Sequence, residues 1–200
     1  MAASQLIDPN LELGDQRLCL RPWQADHLQP QVAAVQASMA TLGRWLPWCH
    51  PGYDETDARS WINACQSHWR QGEQYAFAIH DALDGRLLGG VGLNQRNRQQ
   101  RSANLGYWVR QSHQRHGIAA HACRLIARFG FEQLGLIRIE VVALVDNQPS
   151  RRAAEKAGAR FEGIARQRLW IQEQAWDAAV YALVPGDLDQ PAEAHNAAIS

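Results

Sequence analysis

The apolar positions change period once, near the middle of the chain. Leu105, Tyr107, Trp108 and Val109 form a short apolar run that predicts a strand over Ala103–Val109. Further on, Ile118, Ala122, Leu125, Ile126 and Phe129 recur at helical spacing and predict an amphipathic helix running to about Gly135. The joint between them, Gln114-Arg115-His116-Gly117, is polar and carries one glycine. A strand that turns directly into a helix aims unpaired backbone N–H groups and the positive end of the helix dipole at one point. That is an anion site suited to a phosphate. Gly117 lets the backbone approach closely, and Arg115 adds a charge-assisted donor. An ordinary helix start with a glycine in its turn has the same spacing.

The other elements follow from the same patterning. Gln16 to Arg21 alternates and predicts a first strand ended by Pro22. Asp26 could cap a helix towards Ala40, with Pro30 putting its first turn in question. Thr41 to Pro51 holds Trp45 and Trp48 astride a proline, apolar surface that either plugs one end of the core or walls a cleft. Asp54 or Thr56 caps the next helix, whose Ala58, Trp61, Ile62, Cys65 and Trp69 trace one stripe ending near Gly72. Tyr75 to His80 and Leu87 to Leu93 predict a hairpin turning at Asp84-Gly85, with Gly89, Gly90 and Gly92 marking a bent or closely packed strand. Asn94 to Arg101 reads as a polar loop whose Arg96, Arg98 and Arg101 suit a solvated hairpin tip, with a docking surface for an acidic partner as the alternative. Leu136 to Val145 reads as a buried strand, which makes strand-helix-strand a right-handed parallel crossover. Pro149 sits in the first turn of a short helix ending at Gly158, and Phe161–Trp170 with Ala175–Val184 form a final antiparallel pair. One domain is expected over residues 1–185, with a flexible tail over 186–200.

Composition narrows the class. The 200 residues carry 20 basic and 20 acidic side chains, so charge makes no case for nucleic acid or an anionic membrane surface. No apolar run spans a bilayer, and residues 1–10 lack the basic and apolar regions of a signal peptide. Cys19, Cys49, Cys65 and Cys123 are scattered, as buried thiols of a reducing compartment are, and a cytoplasmic protein is expected. His113, His116, His121 and Cys123 fit no familiar ligand spacing, so no metal is expected.

Gln114-x-x-Gly117-x-Ala119 resembles the pyrophosphate loop of the GNAT acyl-CoA N-acyltransferases. Leu105–Val109, Asn147–Ser150 and Glu155–Gly163 are similar to the branch holding the ribosomal-protein N-terminal acetyltransferases RimL and RimJ. The resemblance covers nearly the whole chain. It implies an α/β fold: a mixed central sheet of six to seven strands, flanked by about four helices and splayed at its two central parallel strands. It implies acetyl-CoA as co-substrate, its pantetheine lying along backbone groups of Trp108, Val109 and Arg110 like an added strand. The amide of Trp108 or Val109 would then face the developing oxyanion. Gln114, Arg115, His116, Gly117, Ile118 and Ala119 would hold the pyrophosphate.

Within that resemblance Asn147 is directed at the cofactor, although asparagine also suits a helix cap there. Many relatives protonate the leaving thiolate with a tyrosine where this chain has Ala154, which leaves Ser150 within reach. Arg151 and Arg152 could meet the 3′-phosphate or lie on a solvated face. Asn104 stands where relatives often carry a glutamate base. A water chain, His80, His113 or His121 would have to serve instead. Trp45, Trp48, Asn94, Asp177 and Tyr181 would line the acceptor cleft, the last two alternatively tying strand to core. The acceptor implied is a protein N-terminal α-amine, as on a ribosomal protein. A small-molecule amine, or acyl-CoA binding without turnover, is the alternative, and a homodimer is admitted by analogy.

Overall fold

The computed structural model describes residues 7–189. Its strands are β1 (Leu13–Gly14), β2 (Leu18–Pro22), β3 (Tyr75–Asp81), β4 (Leu87–Asn97), β5 (Ser102–Val109), β6 (Arg138–Leu144), β7 (Arg160–Ile171) and β8 (Gln174–Leu183). They form one sheet in the order β1-β2-β3-β4-β5-β6-β8-β7. The helices are α1 (Leu28–Gln36), α2 (Met39–Leu42), α3 (Glu55–Gln71), α4 (Ile118–Glu132) and α5 (Gln148–Lys156). Among the described residues no helix is long and apolar enough to cross a membrane.

Alternation along β3 separates two cores. Tyr75, Phe77 and Ile79 pack with Ile118, Ala122, Ile126 and Phe129 of α4, whereas Ala76 and Ala78 pack with Val35 of α1 and Ala58, Ile62 and Cys65 of α3. Small residues on the second face let two helices and the tryptophans Trp23 and Trp108 approach the sheet. The α3 helix starts where Asp54 accepts hydrogen bonds from the amides of Thr56 (2.7 Å) and Asp57 (3.3 Å).

The feature that makes a site lies between β5 and β6. They pair in parallel at only three positions, Ser102↔Arg138, Ala103↔Ile139 and Asn104↔Glu140. Beyond Asn104, β5 stays with β4 as far as Val109, and beyond Glu140, β6 stays with β8 as far as Leu144. The sheet therefore splits into a V, the splay that the resemblance implies.

Several expectations are corrected. The sheet has an eighth strand because Leu13–Gly14 pairs briefly with β2. Trp61 is 39% exposed: at 100° per residue it sits about 60° off the Ala58–Ile62–Cys65–Trp69 stripe. The expected helix from Asp26 to Ala40 is a 3-10 turn over Ala25–His27 followed by α1, then α2. The break falls at Ser38, whose hydroxyl donates to Ala34 O (2.6 Å) and accepts from Gln111 N (2.9 Å). The first half of the polar loop from Asn94 is strand, since β4 runs on to Asn97, and the turn is confined to residues 98–101. Arg98 and Arg101 are exposed as expected and Arg96 is half-buried, yet all three reach helix ends: Arg96 donates to Gly72 O, Arg98 to Gln71 O (3.1 Å) and Arg101 to Gly135 O (2.7 Å), meeting carbonyls at the ends of α3 and α4. Pro185–Asp187 forms a 3-10 turn in which Asp187, 3% exposed, pairs with Arg160 at 3.0 Å, so Asp187 and the buried Leu188 pack on the domain. The remainder of the expected tail, 190–200, lies outside the described residues.

Candidate active site

The turn after β5 has the geometry its sequence predicts. Gly117 opens α4 with left-handed backbone (φ 74°), and Arg115 shares that region (φ 66°). The first amide to find an acceptor in the new helix is that of His121, on Gly117 O at 3.0 Å. The amides of Ile118, Ala119 and Ala120 have none among the described residues and point out of the helix end. A Cβ placed on Gly117 would meet only Arg17 Nη2, at 3.8 Å, so the turn is open in front. Arg115 and His116 are exposed beside it.

Two arrangements brace this turn. Gln114 faces inward, Nε2 donating to Val109 O (2.9 Å) and to Thr41 Oγ1 (3.2 Å), while its amide is spent on Gln111 O (3.2 Å). Its expected contact with a pyrophosphate is therefore corrected: this side chain ties the turn to the strand. From the opposite side Arg17 donates to His116 O, and Asp15 Oδ2 lies 2.6 Å from His121 Nε2. Neither Arg17 nor Asp15 carries a pattern in the sequence, because only the fold brings the β1–β2 turn against α4.

Strand parity decides which β5 groups face the split. The Arg110 amide donates to Leu88 O at 2.8 Å, towards β4. Alternate residues of an antiparallel strand share a direction, so Trp108 and Gly106 also turn their amides to β4. Leu105, Tyr107 and Val109 then turn theirs to the split. Of the expected pantetheine partners, Val109 keeps a free edge, and the amides of Trp108 and Arg110 are corrected to sheet pairing.

Across the split, Asn147 caps α5, its Oδ1 accepting from Ser150 N at 3.1 Å. Ser150 Oγ lies 2.9 Å from Tyr107 Oη, which also donates to Ser150 O at 2.8 Å. Tyr107 is thus a bridge from β5 to α5 that the sequence reading missed. Burial pushes its phenol well above the usual value. Ala154, on the inner face of α5, is fully buried. Arg151 is structural: Nε donates to Tyr181 Oη (3.0 Å) and Nη1 to Val145 O (3.1 Å). Arg152 is exposed on the same helix.

The acceptor side is partly as expected. A cleft of about 560 Å³ is lined by Trp45, Pro47, Leu144, Asp146, Trp176 and Asp177. Trp48 stands beside it against Trp108, ring centroids 5.9 Å apart. Tyr181 is 0% exposed and hydrogen-bonded to Arg151 and Glu155, so it ties β8 to α5 and is removed from the cleft. Asn94 and Asn104 face one another across β4 and β5, Nδ2 to Oδ1 at 2.9 Å, at the vertex of the split. His80, on β3 and so two strands from the split, is buried against His27 (4.9 Å) and bonds Gly85 O, and His121 Nε2 turns to Asp15 of the β1–β2 turn. Asp146 is a cleft carboxylate that carried no motif in the sequence. Among the described residues no group of three or more His, Cys, Asp or Glu side chains could hold a metal ion.

Comparison with known proteins agrees with this layout. A family model described as an acetyltransferase (GNAT) domain matches residues 17–160. YdaF of Bacillus subtilis, assigned as a ribosomal N-acetyltransferase, is 31% identical over 169 residues, covering 82% of this chain and 88% of the relative. A Vibrio cholerae structure assigned as a ribosomal-protein-serine acetyltransferase superposes with a TM-score of 0.80 at 30% identity, over 90% of this chain and 100% of its own. Mycobacterium smegmatis RimJ, in complex with CoA-disulfide, does so with 0.78 at 27% identity, over 92% and 91%.

Proposed function

Because this chain belongs to the GNAT acetyltransferase family and is an acyltransferase, we propose that it moves an acetyl group from acetyl-CoA to the N-terminal α-amine of a cytoplasmic protein, with a ribosomal protein as the type of acceptor. The observation that carries this reading is the split between β5 and β6, one end of which meets the open amides of Ile118, Ala119 and Ala120. Those amides, with Arg115, suit a pyrophosphate. The edge of Leu105, Tyr107 and Val109 suits an extended pantetheine, and the Val109 amide is the donor nearest in kind to an oxyanion hole.

In this scheme the neutral amine nitrogen attacks the thioester carbonyl, forms the C–N bond and loses one proton to solvent, the C–S bond breaks, and the thiolate takes up a proton with help from Ser150. An ordinary thiol has a pKa of ~8.5, so a single hydrogen bond assists it sufficiently. The amine must arrive neutral. At pH 7.5 roughly a third of an α-amine is neutral, against about one lysine amine in a thousand. Asn104 cannot take a proton at that pH, which favours the acceptor that needs least deprotonation. Asp146 and Asp177, both exposed in the cleft, suit attraction of a cationic N-terminus before it sheds its proton through solvent. YdaF and the Vibrio cholerae protein, both assigned to ribosomal acceptors, and RimJ, solved with a CoA-disulfide, support the same reading.

The test is thiol release from acetyl-CoA in the presence of free-N-terminus peptides, α-blocked lysine peptides, polyamines and aminoglycosides. Sustained release with the first group, and mass-mapped α-acetylation, is the expected result. Release with small amines alone would replace the acceptor, and none with any amine would reduce the protein to an acyl-CoA binder.

A further inference from the structure

Among the described residues Tyr107 is the one side chain that bonds across the split to the residue proposed to meet the sulfur. It stands on β5 beyond the last paired position, and its ring packs against the α4-side core. Its hydroxyl reaches the first turn of α5, where Ser150 O lies at 2.8 Å and Ser150 Oγ at 2.9 Å. A phenol has one proton, and a carbonyl can only accept. Two arrangements satisfy these distances. In one, Tyr107 donates to Ser150 O, and the serine proton is spent on Tyr107 Oη. In the other, Tyr107 donates to Ser150 Oγ, and the serine proton is free to turn into the split.

We propose that Tyr107 is the positioning residue for Ser150, switching its proton from Ser150 O to Ser150 Oγ and so aiming the serine hydroxyl at the departing sulfur. The inference rests on the role proposed above for Ser150 and adds the group that orients it. Donation into Oγ also makes the serine a stronger donor, because successive hydrogen bonds polarise one another. Tyr107 does not supply the proton itself. Its phenol, raised by burial, is a far weaker acid than a thiol, so a tyrosinate beside a protonated thiol is the uphill side of that exchange. The balance is simple: the amine nitrogen forms the C–N bond and gives up one proton to solvent, the C–S bond pair passes to sulfur, Ser150 Oγ–H hydrogen-bonds the thiolate, and solvent completes its protonation. Tyr107 and Ser150 both end as they began.

The experiment is a double-mutant cycle read as kcat and as KM for acetyl-CoA. Tyr107→Phe keeps the ring and removes the hydroxyl. It should lower kcat about five- to tenfold, the worth of one hydrogen bond of roughly 1 kcal/mol or slightly more, with KM unchanged within twofold. In a Ser150→Ala background the same change should cost nothing further, because its effect passes through the serine. A purely structural tyrosine would lower kcat equally in both backgrounds, and that overturns the proposal. If Ser150→Ala lowers kcat and Tyr107→Phe does not, the serine role stands and the Tyr107 role is gone. If Ser150→Ala leaves kcat unchanged, both fall, while acceptor-dependent thiol release still decides the wider reading separately. Should Tyr107→Phe not fold, difluorotyrosine at 107 keeps both bonds and is the stronger donor. It should raise kcat, and an unchanged or lower value refutes the switch.

Discussion

Gly89→Ala tests whether the position of β5 governs turnover. A Cβ at residue 89 would sit 2.1 Å from Trp108 O and 3.0 Å from Val109 Cα, both backbone atoms. Bringing the closest contact to 3.0 Å requires a shift of about 0.9 Å (3.0 minus 2.1), and no rotamer can supply it. β4 is held by β3 on its far side, whereas β5 beyond Asn104 has only the split beside it, so β5 is the strand that yields. Overpacking of this kind costs about 1–3 kcal/mol. A displacement near 1 Å at the groups that position a reaction can cost ~100-fold in rate, and 10- to 100-fold in kcat is expected here. Gly90→Ala is the control, since its Cβ meets side chains, Trp108 Nε1 at 2.7 Å and Trp23 Cζ2 at 3.1 Å. It should lose comparable stability and keep kcat within about threefold, because moving rings leaves the Val109 amide in place. Urea denaturation measures the first quantity and thiol release at saturating acetyl-CoA the second. If Gly89→Ala turns over within twofold of wild type, or Gly90→Ala loses as much kcat, the coupling of this strand to catalysis is wrong.

Three further outcomes follow from local geometry. Burial lowers the pKa of both His27 and His80, which stack together with Asp26, Arg21 and Glu12 close enough to act on one or both of them, so the unfolded chain takes up protons first as pH falls. Stability contributed above pH ~6.5 should therefore be lost as pH drops from there towards the folded values, at up to ~1.4 kcal/mol per pH unit for each histidine. Urea midpoints from pH 7.5 to 5 should fall in the wild type and fall less in His80→Phe; equal slopes would remove the pair from the acid response. Asp54→Ala leaves two α3 amides uncapped and should cost about 1 kcal/mol, read as a lower urea midpoint with an unchanged slope. Asp146→Asn with Asp177→Asn should raise KM for a free-N-terminus peptide, by up to about fivefold per carboxylate if each exposed pair is worth up to ~1 kcal/mol, leaving KM for acetyl-CoA alone.

What could be read from the sequence was periodic or local. The helix after Gly117 and the strand before it follow from a change of hydrophobic period, and the Asp54 cap from a residue type at a boundary. Asn147 and Pro149 marked the start of α5 because their conformational preferences act within three residues. The failures needed distance. Trp61 was misjudged because a stripe drawn from apolar identity ignores angular offset. For Arg96 and Arg98 nothing local reveals that helix-terminal carbonyls at Gly72 and Gln71 lie beside them. Gln114 fitted the phosphate motif by position, yet its side chain is drawn off by Val109 O and Thr41, residues of other elements.

Parity shows most clearly what register adds. The sequence offered Trp108 or Val109 as the oxyanion donor, and no property of either residue distinguishes them, since both contribute the same backbone amide. The single bond from Arg110 N to Leu88 O settles the phase of the whole strand, because direction alternates residue by residue. It assigns Trp108 to the ladder with β4 and Val109 to the open edge. The Val109 carbonyl, on that same edge, is already met by Gln114. The thioester proposed above would therefore find an available N–H with its neighbouring acceptor occupied, an arrangement that favours an oxygen carrying developing negative charge. In the proposed scheme the Gln114 brace would thus act on the other end of the substrate: by occupying the Val109 carbonyl, it would leave the N–H as the open group of that residue where the charge forms.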